Sequence, residues 1–146
     1  MNQFISRSAD RCRPFYLLIN KWKGFEWSKD CIVAFQQLKE YLPRPPIMLS
    51  PEADEVLYAY IAMAPHAVSL VLIRDENGLQ KPVYYVSKSL HEAEIRYLLL
   101  EKALLAVVHA TQKLPHYFQV HTVVVLTQLP LKSVLQTVDY TGRIAI

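Results

Sequence analysis

Cysteine and long apolar runs are scarce in this chain of 146 residues. Two cysteines, Cys12 and Cys31, are too few for a disulfide framework, and no pair of cysteines or histidines has zinc-ligand spacing, so both are predicted to be small buried side chains. No stretch approaches the roughly 20 apolar residues of a membrane-spanning helix, and the N-terminus lacks the apolar segment of a secretory signal. These absences argue against a disulfide-rich secreted module and predict an intracellular protein that does not enter a membrane.

Positive charge is concentrated at one end of the chain. Hydrophobic residues make up 52% and charged residues 20% of the sequence, which predicts a folded domain with a core rather than a disordered chain. The formal net charge is +3, but residues 1–25 hold five basic side chains against Asp10 alone, a local net of +4, so the remainder carries −1. The basic side chains are Arg7, Arg11, Arg13, Lys21 and Lys23. With nearby aromatic residues such as Trp22 they are candidates for nucleic-acid contacts, although the solvated face of a short helix gives the same pattern.

The N-terminal third is predicted to contain two helices and a connector. Residues Arg13–Asn20 have the pattern of a short helix. Ser28 is a suitable N-cap for a second helix, which places its apolar residues on one face and ends before Pro43. The proline-rich segment that follows cannot continue a helix and reads as an extended connector. We therefore place a domain boundary between residues 46 and 47.

Three consecutive strands are predicted after the connector. The segments Glu55–Ala62, Ala67–Arg74 and Lys81–Val86 are rich in β-branched and aromatic residues. A polar turn containing Asn77 and Gly78, a pair that favours a tight hairpin, separates the second strand from the third. Short turns imply an antiparallel meander, and its nearly continuous apolar character predicts that helices cover both faces.

A long apolar helix and a fourth strand complete the predicted core. Residues Glu94–Lys113 are apolar around most of the helix and leave a narrow polar stripe with Glu101 at its rim. The β-branched segment His121–Thr127 is the fourth strand and ends at Gln128. This order predicts an α+β fold with a β-β-β-α-β core, in which the fourth strand is added after the central helix.

Four segments, in this order and spacing, carry a family resemblance. They are FEWSKDCIVAFQQLKEYL, PVYYVSKSL, YLLLEKALLAVV and VVVLTQLPL. The chain resembles the Pol polyprotein of gypsy-class LTR retrotransposons of plant type. Residues 1–46 resemble the end of the reverse transcriptase with its connecting helices, and residues 47–146 resemble the attached ribonuclease H-like domain. The resemblance implies cleavage of the RNA strand of an RNA–DNA hybrid with two Mg²⁺ ions, and it implies nucleic acid and the remainder of the polyprotein as partners.

Most carboxylates that the resemblance implies are replaced. The family holds its metal ions with acids from the first strand, the central helix and the fourth strand, and these positions correspond to Ala62, Glu101 and Gln128. Two Mg²⁺ ions about 3.5–4 Å apart need several hard oxygen ligands to offset their repulsion. We therefore expect a degenerate site in which Glu101 is the retained catalytic and metal-binding residue and no Mg²⁺ binds. A fifth strand and a last helix are expected beyond Ile146, which makes this copy C-terminally truncated.

Three functions remain open at this point. The first is a catalytically inactive domain that keeps weak affinity for a hybrid or a single strand through its basic N-terminal residues. The second is a ribonuclease H completed by ligands from a partner chain or from the rest of the polyprotein. The third is a relic without a selected role. Other acids lie too far from Ala62, at ~3.3 Å per strand residue, to complete the site, and the five histidines are predicted to be turn and surface residues.

Overall fold

The structure is a computed structural model in which residues 4–20, 24, 26–44, 48–135 and 144–145 are described. The helices are α1 (Ser8–Arg11), α2 (Arg13–Asn20), α3 (Lys29–Tyr41), α4 (Glu92–Ile95), α5 (Leu99–Lys113), α6 (Pro115–Val120) and α7 (Leu131–Leu135). The strands are β1 (Leu57–Ala64), β2 (Ala67–Glu76), β3 (Leu79–Ser89), β4 (Val123–Leu126) and β5 (Ile144–Ala145).

A mixed sheet with the strand order β3-β2-β1-β4-β5 forms the centre of the fold. β1, β2 and β3 form an antiparallel meander. After α5 the chain returns to add β4 to β1 in parallel, and β5 pairs in parallel with β4. The predicted α+β fold with a β-β-β-α-β core is confirmed.

The β2–β3 turn has the predicted hairpin geometry. Asn77 and Gly78 have φ values of 55° and 85°. Two-residue hairpins of type I′ require positive φ at both central residues, which asparagine and glycine tolerate best. The Asp75 side chain accepts a hydrogen bond from the Gly78 N–H at 2.6 Å. This turn fixes the register of the two longest strands.

The two faces of β1 have different neighbours, because successive side chains in a strand point to opposite sides. Ile61 and Met63 pack against a core cluster that includes Ala106 of α5. Tyr60 and Ala62 therefore project from the face opposite α5. This assignment decides which side of the sheet each candidate site residue occupies.

Helix α1 packs on the face opposite α5, over a row of small side chains. Ala62 pairs with Ser69, and Ser69 pairs with Ser87 across the meander. The hydroxyl oxygens of Ser8 and Ser87 are 2.7 Å apart, and the Ala9 N–H donates to Ser87 Oγ at 2.8 Å. Helices therefore lie on both faces of the meander, as predicted.

The predicted continuous helix over Glu94–Lys113 is wrong. The chain forms α4, leaves the helical conformation and enters α5, because two glutamates each cap a separate helix N-terminus. The Glu94 carboxylate accepts from the His91 N–H and the Glu101 carboxylate accepts from the Leu98 N–H, both at 2.8 Å. A hydrogen bond that the N-cap N–H donates to the side chain of the third helical residue is a helix start signal. The break leaves Leu98, an apolar residue of the predicted helix, 71% exposed.

A fifth strand lies within the chain, which corrects the expectation that it falls beyond Ile146. Val123 and Val124 of β4 pair with Ile144 and Ala145. Two paired residues are too few to give a strand pattern in the sequence. Their pairing satisfies backbone groups that β4 would otherwise expose at a sheet edge.

The two predicted N-terminal helices are confirmed. α2 spans Arg13–Asn20 as predicted, and Ser28 Oγ caps α3 by accepting the Cys31 N–H at 3.4 Å. The predicted domain boundary falls at residues 45–47, which lie outside the described residues, and it stays a prediction. None of the helices in the described ranges is long and apolar enough to cross a bilayer.

An ion pair fastens α4 to the end of β3. Lys88 Nζ lies 2.6 Å from Glu94 Oε2, and the two side chains are 20% and 16% exposed. Burial disfavours the charged carboxylate. Hydrogen bonds from Lys88 and from the His91 N–H, together with the positive charges of these residues, outweigh burial and lower the pKa of Glu94.

We expect the fold to lose stability in acid as Glu94 takes up a proton. The ordinary pKa of its carboxyl is 4.5 and the folded-state pKa is lower. The stabilisation is therefore complete above the ordinary pKa and disappears as the pH falls through the folded-state pKa. Urea unfolding between pH 7 and about pH 3 measures this effect. Glu94→Gln should flatten that part of the profile, and an identical profile in this variant would contradict the assignment.

Candidate functional site

Glu101 lies in the first turn of α5 and is exposed. Its Oε2 accepts a hydrogen bond from the Leu98 N–H at 2.8 Å. A carboxylate at this place also interacts favourably with the partial positive charge of the helix N-terminus. Helix capping therefore accounts for this side chain without a metal ion.

Ala62 lies in β1 on the sheet face opposite α5. It lines a cavity of about 160 Å³. The other lining residues are Ser6 and Arg7, which precede α1, and Tyr60 with further residues of the meander. The alanine methyl group offers no ligand atom. The charged side chain in this lining is Arg7, so the surroundings of Ala62 disfavour a cation rather than attract one.

Gln128 is exposed and follows β4. The parallel pairing of β1 with β4 ends where Tyr60 lies opposite Leu126. Ala62 and Gln128 each lie two residues beyond this pair. The sheet therefore brings these two positions to the same end of neighbouring strands, which is the arrangement that the resemblance implies.

The residues at these three positions do not fit a pair of Mg²⁺ ions. One carboxylate is present, and it already caps a helix, while the other two positions supply a methyl group and a neutral amide. Among the described residues, no three or more histidine, cysteine, aspartate or glutamate side chains are grouped so that they could hold a metal ion. Hard divalent cations require several oxygen ligands. Metal-assisted hydrolysis has no support in this arrangement.

Two of the predicted nucleic-acid contacts share one cavity. Arg7 and Arg11 line a cavity of about 410 Å³ between the first two helices and α3. Arg7 Nη2 lies 2.7 Å from Asp10 Oδ2. The Arg11 guanidinium lies 4.9 Å from the centre of the Tyr41 ring. Both arginines are thus held in place by neighbouring side chains.

A third predicted contact, Arg13, belongs to a neighbouring groove. Arg13 lines a different groove, which it shares with His66 and the α2 residue Leu17. Nδ1 of His66 is buried and has no hydrogen-bond partner among the described residues. Lys21 and Lys23 lie outside the described residues. Among the described basic residues, Arg7 and Arg11 therefore line one cavity and Arg13 lines an adjoining groove, and the two share Asp10 and Pro14.

The prediction that all histidines are turn and surface residues is wrong. His121 is 7% exposed, and its Nδ1 lies 3.0 Å from the carbonyl oxygen of Glu55. Burial, reinforced by the charges of Lys113 and Lys88, lowers the pKa of His109. Both histidines are explained by their packing and hydrogen bonds.

The prediction that both cysteines are buried is confirmed for one of them. Cys31 is fully buried, as predicted, whereas Cys12 is only partly buried. Burial is still sufficient to raise the pKa of the Cys12 thiol, against the opposing charge of Arg11. Neither thiol is therefore placed as an activated nucleophile.

Two tyrosines were missed by the sequence reasoning. Tyr60 and Tyr85 line the same cavity as Ala62. The signal that could have found Tyr60 is the period-two alternation of β1, which places Tyr58, Tyr60 and Ala62 on one face. Tyr85 lies on a different strand, so its place in this cavity could be found only from the pairing of β2 with β3.

Comparison with known proteins identifies the family. Residues 27–125 match a family model described as the RNase H-like domain found in reverse transcriptase. The chain belongs to this family. The match covers α3, the meander and α5 and ends within β4.

Relatives of this RNase H-like domain are parts of much longer polyproteins. The chain is 31% identical to the retrovirus-related Pol polyprotein from transposon 297 of Drosophila melanogaster over 116 residues, which is 79% of this chain and 11% of that polyprotein. It is 27% identical to the corresponding polyprotein from transposon 412 of the same species over 143 residues, which is 97% of this chain and 12% of that polyprotein. The chain therefore spans a small fraction of the length of these relatives.

Solved structures confirm the RNase H-like fold. The foamy viral protease-reverse transcriptase in complex with RNA/DNA hybrid superposes with a TM-score of 0.75 at 18% sequence identity, over 99% of this chain and 22% of that one. The same viral protein in complex with dsDNA gives a TM-score of 0.73 at 19% identity, over 99% of this chain and 30% of that one. At these identities the likeness establishes the fold.

Proposed function

We propose that this RNase H-like domain is a catalytically silent part of a retroelement Pol polyprotein that retains contact with nucleic acid. The observation that carries the proposal is the position of Glu101, whose carboxylate caps α5 while the two partner positions are Ala62 and Gln128. A site that must hold two divalent cations cannot be built from one engaged carboxylate.

The proposal extends to origin, cofactor and location. The chain derives from a gypsy-class element of plant type, binds no Mg²⁺ and acts inside the cell. Its partners are RNA–DNA hybrid or single-stranded nucleic acid and the remaining domains of its polyprotein. The relatives that are Pol polyproteins support this proposal, as does the viral protein of the same fold in complex with RNA/DNA hybrid. The coding sequence that flanks this chain tests the assigned element class directly.

The decisive experiment is a cleavage assay. Purified chain is incubated with an RNA–DNA hybrid labelled in the RNA strand and with Mg²⁺, beside the Glu101→Gln variant as the matched control. We expect no cleavage above that of the variant, because neutral side chains replace two metal-binding positions. Cleavage that depends on Mg²⁺ and is abolished by Glu101→Gln would overturn the proposal.

A second candidate function is a nuclease completed by the remainder of the polyprotein. It is favoured by one observation, that the chain covers only 11% and 12% of the relatives described above. The same assay on a longer polyprotein fragment separates the two candidates. Cleavage that appears in the fragment and is lost with Glu101→Gln supports the completed nuclease.

Nucleic-acid binding through the basic N-terminal residues has a specific signature. Contacts with phosphates release counterions, so the affinity should fall steeply as the salt concentration rises and should depend little on sequence. Replacing Arg7, Arg11 and Arg13 by glutamine should reduce the slope of log K against log salt by about 2–3 units, at roughly 0.7–0.9 per phosphate contact. Fluorescence anisotropy with a labelled hybrid measures this slope. Affinity that is insensitive to salt in the unsubstituted chain would contradict the assignment.

A further inference from the structure

Helix α3 keeps its larger apolar side chains in water. Ile32, Phe35 and Leu42 are 47%, 48% and 54% exposed. The buried residues of this helix are smaller, namely Cys31 and Ala34. A helix that packs only on its own fold turns its large apolar side chains inward, because burial of apolar surface stabilises the fold. The arrangement in α3 therefore indicates a second packing surface.

Together with Lys39, the three exposed residues form a stripe along α3. Positions 32, 35, 39 and 42 follow each other at intervals of three, four and three residues, so they fall within an arc of about 80° at roughly 100° per residue. Leu42 follows the helix as its C-cap and keeps right-handed helical dihedral angles. The intervals are those of the a and d positions through which one helix packs against another. This α3 stripe has the form of a seam for a second helix.

Aromatic contacts extend the α3 stripe onto α2. The ring centroid of Trp27 lies 6.3 Å from that of Phe35 and 5.8 Å from that of Phe15. Ile19 follows Phe15 by four positions and therefore lies on the same face of α2. It is 76% exposed. The α3 stripe, Trp27, Phe15 and Ile19 form one apolar surface across two helices, which we call the two-helix face.

The area of the two-helix face separates a free partner from a tethered one. Its most exposed apolar side chains show about half of their surface on average, and they are Ile19, Trp27, Ile32, Phe35 and Leu42. At about 150–250 Å² for each large side chain, they present roughly 400–600 Å². A stable complex of independent proteins buries about 800 Å² on each partner. A free second copy would therefore bind weakly, whereas a domain of the same polypeptide acts at an effective concentration of about 1 mM.

Lys39 sets the charge that a partner must carry. Its Nζ lies 5.3 Å from the centre of the Phe35 ring, so the cation lies over the α3 stripe. A basic residue of a partner would be repelled there, whereas a carboxylate forms an ion pair at the rim of the contact. The charge selects a helix that carries an acidic residue beside its apolar ones.

The composition of the two-helix face favours a protein over a nucleic acid. Surfaces that bind single strands combine several cations with aromatic rings on which bases stack. Three of the most exposed members here are aliphatic, namely Ile19, Ile32 and Leu42, and they offer no aromatic ring. Lys39 is the cationic residue of the α3 stripe. The face therefore matches the apolar side of an amphipathic helix.

We infer that the two-helix face docks an amphipathic helix from the domain that adjoins this chain on its N-terminal side in the polyprotein, with a carboxylate of that helix at Lys39. The inference rests on the proposed function, in which the chain is part of a Pol polyprotein, and it gives that partner a surface. The face lies within residues 15–42, so a domain joined on the N-terminal side has the shorter tether. The small share of the relatives that the chain covers, 11% and 12%, supports a partner of this kind.

Thiol labelling tests the inference in two forms of the protein. One is the chain of 146 residues, and the other is a longer polyprotein fragment that adds the domain encoded on the N-terminal side. In both forms Cys12→Ser leaves the buried Cys31 as the native thiol, and Leu42→Cys introduces a reactive one. We expect a maleimide to label this cysteine about tenfold more slowly in the longer fragment, because a contact with a Kd of about 0.1 mM is mostly closed at an effective concentration of about 1 mM.

A matched control shows whether any protection belongs to the two-helix face. Glu40 is exposed and lies about 160° around α3 from Leu42, so Glu40→Cys places the thiol away from the α3 stripe. We expect this cysteine to be labelled at the same rate in both forms. Circular dichroism shows whether each variant is folded.

Charge reversal tests the carboxylate assigned to the partner. In the longer fragment, Lys39→Glu should return the labelling of Leu42→Cys toward the rate in the chain alone, because two carboxylates would then meet. Lys113→Glu is the matched control and should leave the protection unchanged. Lys113 lies in the last turn of α5, as Lys39 lies in the last turn of α3, so both changes act alike on a helix terminus. Protection that survives Lys39→Glu would rule out an acidic partner at this position.

Other outcomes would overturn the inference as a whole. Equal labelling of Leu42→Cys in the two forms would show that the face stays open. Protection in the chain alone that grows with protein concentration assigns the face to a second copy, and protection on addition of a single-stranded oligothymidine assigns it to nucleic acid. A flanking sequence that encodes no domain on the N-terminal side counts against the proposed function as well. An open face in a fragment that contains this domain counts against the docking inference alone, and the cleavage assay is independent of it.

Discussion

Replacing Leu72 by alanine is expected to lower the free energy of unfolding by about 3–4 kcal/mol, toward the upper half of the usual range for such substitutions. Leu72 lies in β2, has no exposed surface and belongs to the main core cluster. It faces the side covered by α5, where Ala103 and Ala110 are also fully buried. These alanines have no flexible side chains that can move into the space left behind. A persistent cavity is therefore expected, and its cost adds to the lost burial.

Equilibrium unfolding in urea measures this loss, with Leu79→Ala as the matched control. Leu79 begins β3 and is 60% exposed, so its truncation removes the same atoms from a place that is largely in water. The control is expected to change stability by less than about 0.5 kcal/mol, as surface substitutions usually do. Equal losses in the two variants would show that α5 is not packed on the sheet as described.

The strands and their turn could be predicted because local chemistry and tertiary packing favour the same structure there. Asn77 and Gly78 tolerate positive φ, and β-branched residues on both sides of them suit a sheet. Ser28 could be identified as a helix cap for the same reason, since its side chain accepts a local N–H whatever the rest of the chain does. Features that depend on a few neighbouring residues were recovered from the sequence.

The break before α5 could not be predicted from apolar periodicity. The spacing of apolar residues continues through Leu98, but the carboxylates of Glu94 and Glu101 each bond back to an N–H three residues earlier and begin two helices instead of one. Periodicity measures which side of a helix is buried, and it carries no information on where the backbone changes direction. The two capping glutamates are present in the sequence, but apolar spacing alone does not show that their caps override a continuous helix.

Only part of the candidate site could be predicted from the sequence. The positions of Ala62 and Gln128 at one end of neighbouring strands follow from the order of the elements. The surroundings of Ala62 do not follow from that order, because they depend on α1 packing over Ser69 and Ser87. This contact joins distant segments of the chain, since Ser8 and Ser87 are 79 positions apart. The same long-range contact creates the cavity that holds Arg7 close to the two tyrosines.

A second large effect is expected at the ion pair that connects the segment before β1 to the meander. Arg74 Nε lies 3.1 Å from Glu55 Oε1, with side-chain exposures of 11% and 19%. The guanidinium also donates to the carbonyl oxygen of Ser50 at 3.1 Å, and the other Glu55 oxygen accepts the Glu52 N–H at 2.9 Å. The predicted first strand began at Glu55, whereas β1 begins at Leu57. The ion pair and these hydrogen bonds explain why residue 55 is held outside the strand.

Arg74→Met is expected to destabilise the fold by about 2–3 kcal/mol, because it removes one partner of a largely buried pair and leaves the Glu55 carboxylate without its counter-charge. Methionine keeps much of the apolar stem, so the loss reports the charge and the hydrogen bonds. Adding Glu55→Met should recover much of the stability, since replacing both charges by apolar groups removes the unpaired one.

The same hairpin offers a control for this prediction. Lys81 and Glu76 form an ion pair whose side chains are 31% and 44% exposed. Lys81→Met should cost far less than Arg74→Met, because water screens an exposed pair and solvates the remaining carboxylate. Urea unfolding of these three variants, beside the unsubstituted chain, decides the matter. If Arg74→Met and Lys81→Met lose similar stability, or if Glu55→Met does not compensate Arg74→Met, the segment before β1 is not anchored by this charge pair.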